Sequence, residues 1–484
     1  MSHTIKHRPL TRLLGPALLG LSLAGCAVGP DYQRPKVDVS TRFKQMDGWK
    51  QASPGHTSLN ANWWDGYGDA ELSALLAQVS VSNQNVASYQ AAYQKARALV
   101  SAANAAYFPT VSASGSSTRS GGNSTTTSTT ASRSNSASLS VSWEPDLWGK
   151  LRRTAEQDSA SAQASQAELA AATLSAQSTL AQDYFQLRVL DEQIRLYQQT
   201  VSAYQRYQQI IQQQYTVGST ARATLATAQT QLESARAAVL DVQWQRAQLE
   251  HAIAVLIGKP PADFSISAKP LAYTIPAMPV GLPSQLLERR PDIAYAERNM
   301  AAANAAIGVA KAAYFPDLTL SASGGYSSAA WRKLLSAPNA VWSTGLELSG
   351  TVLDFGATAA SVRQAEASYA GQLATYRQTV LSALQEVEDD LVELHTLEQE
   401  ISSQRLAASS AQEAERQYRN QYQAGMINYL NVATAQATSL SQQQSLLSLI
   451  KQQLVSSVAL LVALGGGWDA VSLNRQQADQ VPVD

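Results

Sequence analysis

Tyr314-Phe315-Pro316-Asp317-Leu318-Thr319-Leu320-Ser321-Ala322-Ser323 is the stretch on which the fold turns. An aromatic pair precedes a proline, and proline stops the helical pattern upstream of it. Beyond the proline, Leu318, Leu320 and Ala322 alternate with Thr319, Ser321 and Ser323. A period of two belongs to a strand with one apolar and one polar face. The same passage stands 207 residues earlier as Tyr107-Phe108-Pro109, then Val111, Ala113 and Gly115 against Ser112, Ser114 and Ser116.

Each passage is followed by a second alternating run. Leu139, Val141 and Trp143 alternate with Ser138, Ser140 and Ser142, and Leu346, Leu348 and Val352 lie opposite Glu347, Ser349 and Thr351. This predicts strand pairs over about 108–147 and 315–354. Segments of about ten residues suit tilted strands crossing a bilayer. The polar face is almost purely Ser and Thr, which argues against the half-wet sheet of a soluble sandwich. Tyr107, Phe108, Trp148, Tyr314, Phe315 and Phe355 gather at one shared end, as an interfacial aromatic girdle does. Residues 117–136 read as an exposed Ser/Thr-rich loop, whereas 327–341, with Trp331, Leu334 and Leu335, are expected to fold back on the mouth of the sheet.

The rest of the chain is helical. A helix is expected from Asp69, a plausible N-cap, to about Ala106. No proline or glycine occurs from Lys150 to Tyr215, which predicts a helix of roughly 100 Å. Leu180, Leu187, Ile194 and Val201 fall seven apart, as do Val242, Leu249 and Leu256, and Leu440, Leu447, Leu454 and Leu461. That spacing is the coiled-coil signature. Gly218 and Gly425 break the long helices for a few residues only. They mark antiparallel hairpins with tips at about 215–225 and 422–432. Further 207-residue echoes tie the halves together: Gly149 with Gly356, Tyr215 with Tyr422, and Ala226-Thr227-Ala228-Gln229 with Ala433-Thr434-Ala435-Gln436. The organisation read from this is an N-terminal arm over 26–68, a first repeat over 69–258 and a connector with five prolines over 259–282. A second repeat covers 283–464 and a C-terminal tail 465–484. The fold class is α+β, with long α-helical hairpins beside a membrane strand set.

The N-terminus carries an address. Lys6, Arg8 and Arg12 precede the apolar run Leu13–Leu23 and then Leu23-Ala24-Gly25-Cys26. Residues 1–25 read as an export signal, too short to span a bilayer. Cys26 is the only cysteine, so no intrachain disulfide forms. The net charge of −1 becomes −4 once Lys6, Arg8 and Arg12 leave with the signal, and nothing in the balance points to nucleic acid. His56, His251 and His395 lack metal-ligand spacing, and no nucleophile elbow, phosphate loop or dinucleotide fingerprint is present. The acidic run Glu386, Glu388, Asp389 and Asp390 reads as a solvated helix face. The expectation is a non-enzyme with no metal and no cofactor. Because open strand edges in lipid leave backbone groups unpaired, four strands must share a barrel. Two chains give eight strands with a filled interior and three give twelve with room for a lumen. The Ser/Thr face favours the homotrimer.

These residues resemble the outer-membrane efflux proteins of the TolC family, in the lipid-anchored branch that pairs with resistance-nodulation-division pumps. The resemblance runs through Cys26-Ala27-Val28-Gly29-Pro30-Asp31-Tyr32, Trp63-Trp64, Trp143-Glu144-Pro145-Asp146-Leu147-Trp148-Gly149, Arg289-Arg290-Pro291-Asp292-Ile293, Ala313-Tyr314-Phe315-Pro316 and Asn428-Tyr429-Leu430. Leu-Ala-Gly-Cys is similar to a lipoprotein signal, which implies a thioether-linked diacylglycerol and an N-acyl chain on Cys26. Ala27 in the next position implies the outer membrane. The resemblance further implies a twelve-strand barrel in outer-membrane lipid, a periplasmic helical barrel and an equatorial belt holding the C-terminal tail. It also implies a periplasmic adaptor and an inner-membrane pump as partners, with passive export of small molecules such as drugs. The periplasmic gate would lie at the tips, with Leu430 in the family's gating position, Tyr422 near it, and Tyr215, Gly218, Arg222 and Gly425 framing it. Where relatives often carry an aspartate, this chain has Thr434, and no Asp or Glu occurs between Glu192 and Glu233 or between Glu415 and Asp469. A strong cation-selective constriction is therefore not expected. Two other readings compete: the exit duct of a protein secretion system, disfavoured by the lipoprotein signal, and a surface coiled-coil lipoprotein, which has no use for a second strand pair.

Overall fold

The computed structural model describes residues 27–37, 40, 42–44, 62–121, 132–276, 283, 286–468 and 470. Residues 1–25, Cys26, His56, residues 122–131 of the first strand loop, the end of the connector and nearly all of the tail beyond Trp468 lie outside the described residues.

A short 3-10 turn, Trp63–Tyr67, leads into helix α1, Ala70–Ser82, and helix α2, Gln84–Ala105. Strands β1, Thr110–Ser120, and β2, Ser132–Trp143, come next, followed by α3, Lys150–Thr216, and α4, Arg222–Leu256. After the connector the order repeats: α5, Pro291–Ala312; β3, Asp317–Ser328; β4, Ala340–Ser349; α6, Ala357–Gln423; and α7, Tyr429–Ala463. Helices α2 and α5 both have 22 residues, α3 and α6 both 67, and α4 and α7 both 35. Each of these helix bounds is displaced by 207 residues. The glycines keep step. Gly149, Gly218 and Gly258 have φ of 81°, 75° and 69°, and their counterparts Gly356, Gly425 and Gly465 have 95°, 72° and 102°. A Cβ on Gly258 would stand 2.2 Å from the Ser82 carbonyl oxygen, and one on Gly465 2.2 Å from that of Arg289. Both sites demand glycine for space as well as for φ.

The expected helix from Asp69 to Ala106 is broken at Asn83, whose extended backbone ends α1. The Asn83 side chain accepts from the Asn85 and Val86 amides, at 2.9 and 3.1 Å, and donates to Leu256 O at 2.8 Å. It thus caps α2 and satisfies the end of α4 with one buried amide. The fourth strand also differs from expectation. It stops at Ser349, before Val352. Asp317 pairs with Ser349, so the next position on β3 is Pro316, which has no N–H to extend the ladder.

The chain forms two compact units. One comprises Tyr93–Ala164, Ala296–Tyr376 and the described part of Met1–Lys36. Its sheet is antiparallel in the order β1-β2-β3-β4. Register places Ser112, Ser140, Ser323 and Ser343 in one row across all four strands. Their hydroxyls meet at 2.8 Å in both outer pairs. The opposite face carries Val111, Ala113, Leu139, Val141, Ala322 and Leu346. Val111 is 68% exposed, Leu139 58% and Trp342 80%. Among the described residues no layer covers either face, an arrangement that suits lipid on the apolar side.

At the end of the sheet where the sequence gathers its aromatic residues, the tryptophans are locked to the backbone. Trp143 Nε1 donates to Tyr107 O at 2.9 Å and Trp148 Nε1 to Pro316 O at 2.8 Å, while Trp148 stacks on Phe315 at 4.8 Å. Phe108, Tyr314 and Phe355 are exposed. At the other end, the β3–β4 loop folds into two short 3-10 turns, Trp331–Lys333 and Ala337–Asn339. Leu334 turns inward, whereas Trp331 and Leu335 face out, so only part of this loop folds back.

The second unit comprises Val37–Ala92, Ser165–Tyr295 and Arg377–Asp484 within the described residues. Of the heptad positions on the long helices, Leu180, Leu187, Val242, Leu454 and Leu461 are buried, whereas Ile194, Val201, Leu249, Leu256, Leu440 and Leu447 are half-buried. Helix α7 alone among the described helices is long and apolar enough to cross a membrane by composition, but 44% of that window is buried in the protein. Its apolar face is the wall of a bundle.

Candidate functional site

The hairpin tips are built from a repeated stop signal. Gly218 N–H bonds Tyr215 O at 3.0 Å, and Ser219 N–H bonds Gln214 O at 2.8 Å. In the second hairpin Gly425 N–H bonds Tyr422 O at 2.9 Å, and Met426 N–H bonds Gln421 O at 3.0 Å. This is the Schellman closure, which satisfies the last carbonyls of a helix through a glycine at positive φ. The restarts differ. Asn428 caps α7 by accepting from Asn431 N–H, whereas Ala221 offers no side-chain cap to α4.

The two tips of one chain are knitted together. Tyr207, Ile211, Ala228, Tyr429, Val432 and Ala433 form a buried cluster. Leu225, Tyr422 and Ile427 pack against its edge. The rings of Tyr207, Tyr422 and Tyr429 lie 5.9 to 6.3 Å apart, each against the other two. Tyr429 Oη donates to Gln231 Oε1 at 2.9 Å, and Gln231 Nε2 donates on to Ala433 O at 3.3 Å. Tyr422 Oη reaches Gln214 Oε1 at 3.3 Å. Burial among other tyrosines pushes the Tyr429 phenol above its ordinary value, which keeps it a donor.

The structure brings Tyr422 into this knot, and it leaves Leu430 outside it, 62% exposed. Leu430 lines a groove of about 570 Å³ with Gln214, Ser219, Thr224, Thr227 and Tyr422. Thr434 lines a neighbouring groove that Leu430 also borders, and its hydroxyl donates to Leu430 O at 2.9 Å. Tyr215, Gly218, Arg222 and Gly425 are exposed at the turn ends. Sequence reasoning did not single out Tyr207, Gln214 and Gln231. They sit in glutamine-rich helix where nothing in the pattern distinguishes one glutamine from the next.

The described start of the chain makes a second site. Val28 N–H bonds Trp148 O at 3.0 Å. Arg153, 5% exposed, donates to Val28 O and Gly29 O and pairs with Asp31 and Glu156, both at 2.7 Å. Asn304 Nδ2 donates to Pro30 O at 3.0 Å, and Tyr32 Oη donates to Glu297. A Cβ on Gly149 would stand 2.8 Å from Ala27 Cα, and one on Gly29 2.5 Å from Gly308 Cα. The backbone of residues 27–32 is therefore laid against the foot of the sheet beside Trp148.

Comparison with known proteins accords with this geometry. The outer membrane efflux protein family matches twice, over residues 75–259 and 282–466, segments that are themselves 207 residues apart. The cation efflux system protein CusC of Escherichia coli is 30% identical over 461 residues, covering 94% of this chain and 98% of CusC. The toluene efflux pump outer membrane protein TtgC of Pseudomonas putida is 30% identical over 488 residues, covering 97% of this chain and 99% of TtgC. Among solved structures, the outer-membrane channel OprN has a TM-score of 0.83 at 28% identity, covering 92% of this chain and 100% of that one.

Proposed function

The chain belongs to the outer membrane efflux protein family, and from that membership we propose that three copies form the exit duct of a tripartite efflux pump. It is a lipid-anchored protein of the outer membrane that extends into the periplasm. The observation that carries the proposal is the sheet, which among the described residues is uncovered, with a serine row on one face, exposed apolar side chains on the other, and unpaired edges at β1 and β4. Three such sheets pair edge to edge into a twelve-strand barrel, with the serine rows facing water in the lumen. The hairpins α3–α4 and α6–α7 continue the duct, and their tips meet a periplasmic adaptor. Acylation of Cys26 is supported by the lipoprotein signal that precedes it.

The duct is passive and catalyses nothing. An inner-membrane pump of the resistance-nodulation-division type supplies the energy. The grooves at the tips are lined by hydroxyls, amides and Leu430 rather than carboxylates, which fits small organic molecules such as drugs. Native mass spectrometry of the detergent-solubilised protein is expected to give three times the mass of one lipidated chain. Deleting the chain is expected to raise susceptibility to organic antimicrobials by the same factor as deleting its pump, with no further rise in the double deletion. A stable monomer, or unchanged susceptibility to every compound tried, overturns the reading.

A further inference from the structure

We propose that the loop-side rim of the sheet docks a phosphate-bearing lipid of the outer leaflet, gripped by Arg119 and Arg133. The inference rests on the membrane reading above. In the register Arg119 on β1 stands directly opposite Arg133 on β2. Both belong to the face of Val111, Ala113, Leu139 and Val141, not to the serine face, because side chains alternate along a strand. Like charges directly opposite one another destabilise a strand pair. Among the described residues, neither guanidinium has a hydrogen bond or ion pair, and both are exposed. Such a pair calls for an anion that both can share.

The rest of the rim agrees. Asn135, two residues beyond Arg133 on the same face, is buried. Its Nδ2 donates to Ser328 O at 3.0 Å and Ala329 O at 3.2 Å. That ties the start of the β3–β4 loop to this end of β2. The loop then presents Trp331, Arg332, Lys333 and Leu335, with Trp331 and Leu335 exposed. From Thr110 through Trp143, and from Leu318 through Leu346, the only charged residues are Arg119, Arg133, Arg332 and Lys333. The acids lie at the opposite end of the strands, where Lys150 pairs with Asp317 and Glu144. The sheet is polarised along its length, with cations only at the loop end.

The spacing places those cations at headgroup depth. Arg133 and Trp143 are ten positions apart on β2. At about 3.3 Å per residue and a tilt of about 40°, they differ in height by about 25 Å, the thickness of the apolar band of such barrels. Trp342 and Tyr326 share the Arg face near the same end and supply aromatic contact. A phosphate between two guanidinium groups turns their repulsion into charge-assisted, bidentate hydrogen bonds. Because the pair adjoins an exposed apolar face rather than an aqueous pocket, the phosphate is that of a lipid.

Native mass spectrometry of the full-length protein in detergent tests this, with doubly phosphorylated lipid A, dephosphorylated lipid A and inorganic phosphate as separate probes. The phosphorylated lipid is expected to bind wild type, with about tenfold weaker binding in the R119Q/R133Q double variant. R332Q/K333Q should weaken it by a smaller factor. The dephosphorylated lipid and inorganic phosphate should bind both proteins weakly and alike. Equal retention of phosphorylated and dephosphorylated lipid, or undiminished binding by R119Q/R133Q, overturns the proposal. If that double variant does not assemble, R119Q alone carries the same comparison. The oligomer mass in the same spectra reports the trimer separately: a trimer with indifferent lipid binding sinks this inference only, and a monomer sinks the duct.

Discussion

At the scale of single residues, two pairs of positions carry the chemistry. Thr434 donates its hydroxyl to Leu430 O, and among the described residues no carboxylate lines the groove beside Leu430. Wild type is expected to show little cation preference in a salt gradient across a planar bilayer. Thr434→Asp should shift the reversal potential towards cations by ringing the mouth with negative charge. Strong cation preference in the wild type would refute the assignment of the mouth to these residues. The second pair is Asp183 and Asp390, again 207 positions apart. Burial lifts Asp183 to about 6. Asp390 is half-buried rather than on the solvated face expected of its acidic run: burial first, then the nearby carboxylates Glu393, Glu386 and Asp389, lifts it to about 7 against the pull of Arg290. Both values exceed the ordinary 3.8 of an aspartate, so the folded chain binds protons more tightly than the unfolded chain. Stability therefore falls as pH rises from about 4 to about 7 and stays lower above that window. Replacing both by Asn should stabilise the protein at pH 8, by about 1–2 kcal/mol once solvent screening is allowed for, and by progressively less towards pH 4. Thermal melts across that range check the trend, and a gain that grows on acidification contradicts it.

At the scale of elements, the sheet gives the sharpest contrast. Leu139 and Ser140 are neighbours on β2 but face opposite sides. Leu139→Arg puts a charge into lipid near mid-strand at about 2–4 kcal/mol, and the heat-resistant oligomer band on a gel should weaken. Ser140→Arg lies on the serine face, the lumen side of the proposed duct, and should keep that band while lowering single-channel conductance. Similar behaviour of the two variants would mean the faces are misassigned. This alternation was legible in the sequence because serine marks every second position. The long helices were equally plain, since a run without proline or glycine from Lys150 has little else to become. The break at Asn83 was not, because its cause is a hydrogen bond to Leu256 O, 173 residues away. Nor was the end of β4 before Val352, which Pro316 on the facing strand imposes. At the tips, glycine positions announced the turns, but the knot of Tyr207, Tyr422 and Tyr429 depends on which faces of four helices meet. Period alone does not say that.

At the scale of the whole molecule, the described N-terminal arm and the tips tie distant parts of the chain. The arm holds the sheet foot through Arg153, whose removal leaves the carbonyls of Val28 and Gly29 and the Glu156 carboxylate without their donor. Arg153→Ala should destabilise by about 2–3 kcal/mol and expose residues 27–35 to limited proteolysis. An arm as protected as in wild type would show that other contacts suffice. The tips impose a condition of a different kind. Tyr422 meets Gln214, and Tyr429 meets Gln231, only because α3 and α6 are equal in length, as are α4 and α7. One extra heptad in α3 displaces its end by about 10 Å, and the turn at Gly218 requires α4 to grow by the same amount. The knot then requires α6 and α7 to grow as well. The four helices are therefore coupled in length. None can be lengthened alone, so changes in their reach are heritable only as four matched insertions, and point substitutions at the tips are the easier route by which the fit to a new partner can drift.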